Sequence, residues 1–241
     1  MGAGSFGGMS DSFTFRDACQ SGLRGARANL VPGLVLQAFA LTLVLGYYFA
    51  PGVAEALKDF EEFRFRVGIP YSVASTAFFG GLIPWLYIKA NPATRNRYNV
   101  KQGVGLLAFW AYKGLELHLL YTGLAALFGH DNSLATIAKK VVFDQTLYGP
   151  LLAAPGMWLA YKWVEGHLAV SPVIASVRQP GWFLRELLPV IIANLGVWLP
   201  TVTIVYTLPT VLQLPLENLV LCFFTLVLAH MSLANAERDK K

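Results

Sequence analysis

Residues 30–50 read LVPGLVLQAFALTLVLGYYFA, a run without a single charged side chain. A helix needs about 20 mostly apolar residues to cross roughly 30 Å of hydrocarbon, and this run supplies them. Further charge-free runs cover 70–88 and 187–209. The run 103–127 carries Lys113, Glu116 and His118, 141–161 has Asp144 near its start, and 219–235 closes the series. Pro215 and Glu217 stand just ahead of that last run. Proline loses nothing at the first position of a helix, and a carboxylate there meets the positive end of the dipole. The pattern predicts an all-α polytopic membrane bundle of six transmembrane helices.

The whole chain agrees with that reading. Its 241 residues are 55% hydrophobic and only 14% charged, with a mean hydropathy of +0.50. Soluble domains carry about 25% charged residues, and a disordered chain combines low hydropathy with high net charge, so both classes are excluded. The net charge of +5 does not point to nucleic acid, because Lys and Arg fall in short clusters between apolar runs rather than along one stripe. The two cysteines, Cys19 and Cys222, offer neither a disulfide framework nor a paired-cysteine metal site.

Those clusters instead indicate topology, because short loops on the inner side of a membrane collect Lys and Arg. One side receives Arg16, Arg24 and Arg27, then Lys89, Arg95, Arg97 and Lys101, then Lys162, Arg178 and Arg185, and finally Arg238, Lys240 and Lys241. The other side receives Lys58, Arg64, Arg66, Lys139 and Lys140, so thirteen stand against five and both termini are expected inside.

Four segments follow. Residues 1–29 form a polar N-terminal arm, Gly- and Ser-rich over 1–10, and 30–100 hold two spans joined by an amphipathic stretch. Residues 101–236 form a four-span bundle, and 237–241 a charged tail. In 53–67, Val53, Leu57, Phe60, Phe63 and Val67 recur at helical spacing among charged residues. This predicts an amphipathic helix lying on the bilayer surface or docked on a partner. The arm lacks the apolar core of a secretory signal, and Phe6 stands where myristoylation expects Ser or Thr. Its arginines suit an organelle presequence, while Asp11 and Asp17 oppose one. Ordering such an arm costs about 1 to 2 kcal/mol per backbone residue, which partner chains would have to offset by covering it.

Three local patterns carry a family likeness. GLELHLLY, 114–121, places a glycine, a histidine and a tyrosine late in a helix. In KKVVFDQTLYGP, 139–150, Lys139 and Lys140 precede the Asp144–Gln145 pair, an aromatic and Pro150. WLPTVTIVYTLP, 198–209, orders Trp198, a proline, an aromatic and the terminal Leu-Pro ending at Pro209. Over about 103–235 the chain resembles the family of four-span organelle membrane proteins named after Mpv-seventeen and the twenty-two-kilodalton peroxisomal membrane protein. It departs from the family at 201–205, where Thr, Ile and Val replace a Gln and an Asn-Phe, at Gln213, where the family has Arg, and at Phe224-Thr225, where it has Trp-Asn. The resemblance implies a mitochondrial inner or peroxisomal membrane and a small pore.

Ionisable groups at membrane depth cost about 2.5 to 3.5 kcal/mol each and therefore invite a functional reading. Lys113 and Glu116, three apart, share a helix face and can pair, either bracing the bundle or lining a wet pathway. His118 lies about 140° around the helix from Lys113, and with Tyr121 it suits interhelical hydrogen bonds better than metal binding. Asp144 and Gln145 open the fourth span. There Asp144 caps the helix, pairs with Lys140 at i,i+4, or joins the lining. At about 1.5 Å per residue Asp144 comes level with residues near Leu124, within reach of Tyr121 but short of Glu116. Prolines 84, 150, 155, 189 and 200 fall inside spans and predict kinks, which either open a cavity or accommodate packing.

No catalytic motif is present, and neither enzymatic activity nor a cofactor is expected. The expected partners are the lipid bilayer and other membrane-protein subunits, not nucleic acid. An accessory subunit of a larger mitochondrial inner-membrane complex is the first functional expectation, and a small, poorly selective pore the alternative.

Overall fold

The structure, a computed structural model, describes residues 13–92 and 94–238. The Gly-rich arm 1–10 and the last three residues of the tail lie outside the described residues. Among the described residues the chain is all helix, with no strand. Counting contiguous turns as one helix, the order is α1 (Phe15–Ala28), α2 (Leu30–Phe49), α3 (Val53–Ala56), α4 (Lys58–Val67), α5 (Ile69–Ala90), α6 (Val100–Phe128), α7 (134–165), α8 (Ser171–Val177), α9 (Phe183–Val205) and α10 (Thr210–Arg238).

Helix starts follow local chemistry. Thr14 and Asp17 form a reciprocal capping box on α1, and Asn99 and Gln102 do the same on α6, each cap satisfying backbone donors that have no partner within the helix. Gly129, at φ 111°, ends α6 in a conformation that glycine alone adopts cheaply. In the turn that follows, Ser133, through side chain and backbone, and Thr136 bond the Asp131 carboxylate and hold it down at about 2, against its ordinary 3.8.

Prolines set the irregular turns. Residues Ala77–Leu82 precede Pro84, Asp144–Ala153 contain Pro150 and lead into Pro155, and Phe183–Leu187 precede Pro189; all three segments are π-helical. A proline has no N–H to give and collides with the carbonyl four residues back, and the wider i→i+5 turn relieves both problems. Pro200 and Pro215 instead lie inside α-helical turns.

The long helices alternate in direction. At one end Tyr48 donates to the Thr207 carbonyl at 2.5 Å and accepts from Asn132 at 2.9 Å. At the other, Gln102 donates to the Val164 carbonyl at 2.7 Å and Arg97 lies 3.8 Å from Glu165. Loops 50–68, 129–133 and 206–209 thus gather at one end, and 91–99 and 166–182 at the other. α2, α5 and α9 are long and apolar enough to cross a membrane. Leu34, Leu41, Leu119, Leu151, Leu159 and Leu199 point outward and are exposed, an outer surface suited to lipid rather than water. The core gathers Leu36, Ala40, Leu117, Leu124, Val205, Leu214 and Val220 from α2, α6, α9 and α10.

Four features differ from the sequence reading. Within the stretch read as a polar arm, α1 packs along α9 through small residues, and a Cβ added at Gly22 would lie 2.6 Å from that of Ile192. The amphipathic stretch breaks at Leu57 into α3 and α4. Arg64, assigned by periodicity to the charged face, is buried with its guanidinium 5.8 Å from the centre of the Tyr71 ring, while Phe63 and Phe65 face outward. The physical reason lies within α4, where Arg64 stands four residues after Phe60 and three before Val67 and so shares the inward face of those two partly buried residues. Finally, α10 begins at Thr210, so Pro215 and Glu217 lie within the helix rather than at its mouth.

Candidate functional site

Four helices line a partly open cavity of about 90 Å³. α6 contributes Trp110, Lys113, Leu117 and Tyr121, which recur at three- or four-residue spacing and so share one face. The π-helical part of α7 contributes Asp144, Gln145, Tyr148 and Gly149. Its widened turns depart from the 100° per residue of a regular helix, and Asp144 and Gln145, adjacent in sequence, are both buried. α9 adds Asn194, Trp198 and Val202, and α10 adds Glu217 and Leu221.

Polar contacts join these helices. The Lys113 ammonium pairs with Glu116 on its own helix and donates to the Tyr148 hydroxyl at 2.8 Å, 5.1 Å from the centre of that ring. Asp144 accepts from Gln145 Nε2 at 3.1 Å and from the Tyr206 hydroxyl at 2.5 Å. The Tyr121 and Tyr206 rings meet edge to face, with centroids 5.8 Å apart. Beside the cavity, Thr76 donates to Asn218 at 2.9 Å and Asn218 to Ser75 at 3.0 Å, tying α5 to α10.

Glu217 differs from the other carboxylates. It is 7% exposed, and its Oε2 has no hydrogen-bond partner. No lysine, arginine or histidine nitrogen comes within 4.0 Å of either Glu217 or Asp144 among the described residues. Lys113 and Glu116 neutralise each other, so these two carboxylates share a low-dielectric interior without a cationic side chain of their own. Such an arrangement requires water, a proton or a cation to carry the compensating interaction.

The structure brings four of the six singled-out residues, Lys113, Tyr121, Asp144 and Gln145, onto the cavity wall, with Glu116 paired just behind. His118 is turned away from it, 2.8 Å from the Ser72 hydroxyl of α5. Among the motif residues, Trp198 lines the cavity, Pro150 lies in the π turn, Pro209 accepts from Leu212 in the turn before α10, and Lys139 is exposed. Lys140 is buried, and no ion pair joins it to Asp144. The i,i+4 pairing does not form although the turn from Lys140 to Asp144 is α-helical, with the Asp144 N–H on the Lys140 carbonyl; the Asp144 carboxylate is taken by Tyr206 and Gln145 instead. Tyr148 supplies the link between α6 and α7 that axial distance alone did not predict.

Asn194 escaped the reading of the sequence, Tyr148 and Tyr206 enter it only as the aromatics of two family patterns, and Glu217 only as a residue at a helix start. Glu217 also carries a signal as a lone carboxylate in an apolar stretch, one that a helix dipole explains equally well. Among the described residues no group of three or more His, Cys, Asp or Glu side chains is placed to hold a metal ion, and Cys19 and Cys222 are free thiols. The chain matches no protein-family model, no curated protein and no solved structure.

Proposed function

We propose that this protein is a six-span integral membrane protein that acts as a narrow conduit for small polar solutes. By its resemblance to the Mpv-seventeen family, its home is the mitochondrial inner membrane or another organelle membrane. The observation that carries this reading is the convergence of Lys113, Asp144, Tyr121 and Glu217 on one cavity inside helices whose outer faces are apolar. Buried charge is costly at membrane depth, and a wet path is the use that accounts for concentrating it.

An accessory-subunit role is the second reading. It draws on Phe63 and Phe65, which leave an aromatic edge 51% and 83% exposed on α4 and suited to a neighbouring chain.

Six spans with both termini inside predict that a cysteine introduced at Glu62, on exposed α4, and one in the tail 237–241 label from opposite sides of the membrane. Labelling from the same side contradicts the topology. For the conduit, purified protein in planar bilayers is expected to conduct. Neutralising both carboxylates, Asp144→Asn with Glu217→Gln, lowers conductance about tenfold or more, because a charged low-dielectric cleft concentrates counter-ions by 10-fold to 10³-fold. A silent bilayer, or conductance untouched by the double substitution, removes the reading.

A further inference from the structure

We infer that the cavity is a binding site for one small monovalent cation, with the free Oε2 of Glu217 and the carboxylate of Asp144 as its charged ligands. This deepens the conduit reading by naming the occupant of the cavity.

Three observations converge on it. Glu217 is 93% buried, lines the cavity and keeps one carboxylate oxygen without any protein donor, although buried polar atoms are almost always paired. Asp144 spends one lone pair of each oxygen on Gln145 and Tyr206, which leaves each oxygen further acceptor capacity. The Lys113 ammonium on the same wall is already committed to Glu116 and Tyr148 and forms no ion pair with either carboxylate.

The cavity then selects the class of ligand. Its volume of about 90 Å³ holds more than one water-sized body, each needing about 10 to 15 Å³, and is far below the roughly 300 Å³ or more of sites for organic ligands. Carboxylate and hydroxyl oxygens, here with Tyr121 beside them, are hard donors that suit hard cations. Lys113 on the same wall reduces the negative potential that the two carboxylates present, and among the described residues no third His, Cys, Asp or Glu side chain completes a metal-holding group, which leaves a single positive charge as the fitting occupant.

The test uses the purified full chain in detergent at fixed ionic strength and about pH 8, with NaCl or KCl replacing N-methylglucamine chloride. The thermal midpoint is expected to rise by about 5 °C at saturation in at least one of the two salts. Tryptophan emission should follow the same single-site curve, since Trp110 and Trp198 line the cavity. Glu217→Gln and, independently, Asp144→Asn abolish the response, while Glu165→Gln, outside the cavity, keeps it. Identical midpoints in all three salts overturn the proposal and leave a proton or water as the occupant. A full response in Glu217→Gln overturns it as well. Saturable binding in a protein that does not conduct would sustain the cation site while removing the conduit.

Discussion

Replacing Lys113 by methionine lowers the stability of the folded bundle by about 3–5 kcal/mol, the range found when one member of a buried ion pair is removed. Methionine keeps much of the apolar stem of lysine, so little packing is lost. What is lost is the ammonium, which leaves Glu116, its side chain 13% exposed, without its partner, and Tyr148 without its donor. The double variant Lys113→Met with Glu116→Gln recovers part of the loss, because replacing both partners strands no charge. Denaturant unfolding of the reconstituted protein measures both variants. A single variant within about 1 kcal/mol of the parent would show that water reaches the pair freely.

Gly114→Val is expected to cost about 3 kcal/mol or more, at the upper end of overpacking effects. A Cβ at this position would stand 2.3 Å from the Ser72 carbonyl oxygen and 2.8 Å from the Val73 Cα, both backbone atoms of α5 that have no rotamer by which to yield. The two helices must separate, and the 2.8 Å contact between His118 and Ser72 goes with them. Gly123→Ala on the same helix is the control, since its Cβ meets nothing within 4 Å. It should be neutral or stabilising by up to about 1 kcal/mol through helix propensity. Equal behaviour of the two variants in thermal unfolding would remove close helix approach as the reason for Gly114.

Much of the architecture was legible because lipid-facing helices are written in plain composition. Charge-free runs marked α2, α5 and most of α9, and the spacing of Lys113, Glu116 and His118 foretold that the first two share a face that the third does not. The interior was less legible. The i,i+4 spacing of Lys140 and Asp144 is regular, yet no pair forms, because the Tyr206 hydroxyl from another helix and the neighbouring Gln145 amide take the Asp144 carboxylate. Glu217 was assigned to a helix mouth because nothing local in the sequence reveals that α10 starts seven residues earlier. Arg64 reads as water-facing by its charge alone, although four residues after Phe60 and three before Val67 it shares their inward face of α4. Which residues of four different helices meet is a tertiary property, and no single stretch encodes it.

The most direct measurement of the central claim, that water reaches the cavity inside the bilayer, is the reactivity of single cysteines. In a background lacking Cys19 and Cys222, cysteines replace Ala153 and Val202 at the cavity, or Leu151 and Leu199 on the outer face, where the native side chains are 66% and 46% exposed. In membranes, the cavity cysteines are predicted to react with a small water-soluble methanethiosulfonate. The ammonium form should react about tenfold faster than the sulfonate form, because Asp144 and Glu217 attract positive charge. The cysteines at 151 and 199, held in lipid, should stay inert. Cysteines at 153 and 202 as unreactive as those at 151 and 199 would contradict the account.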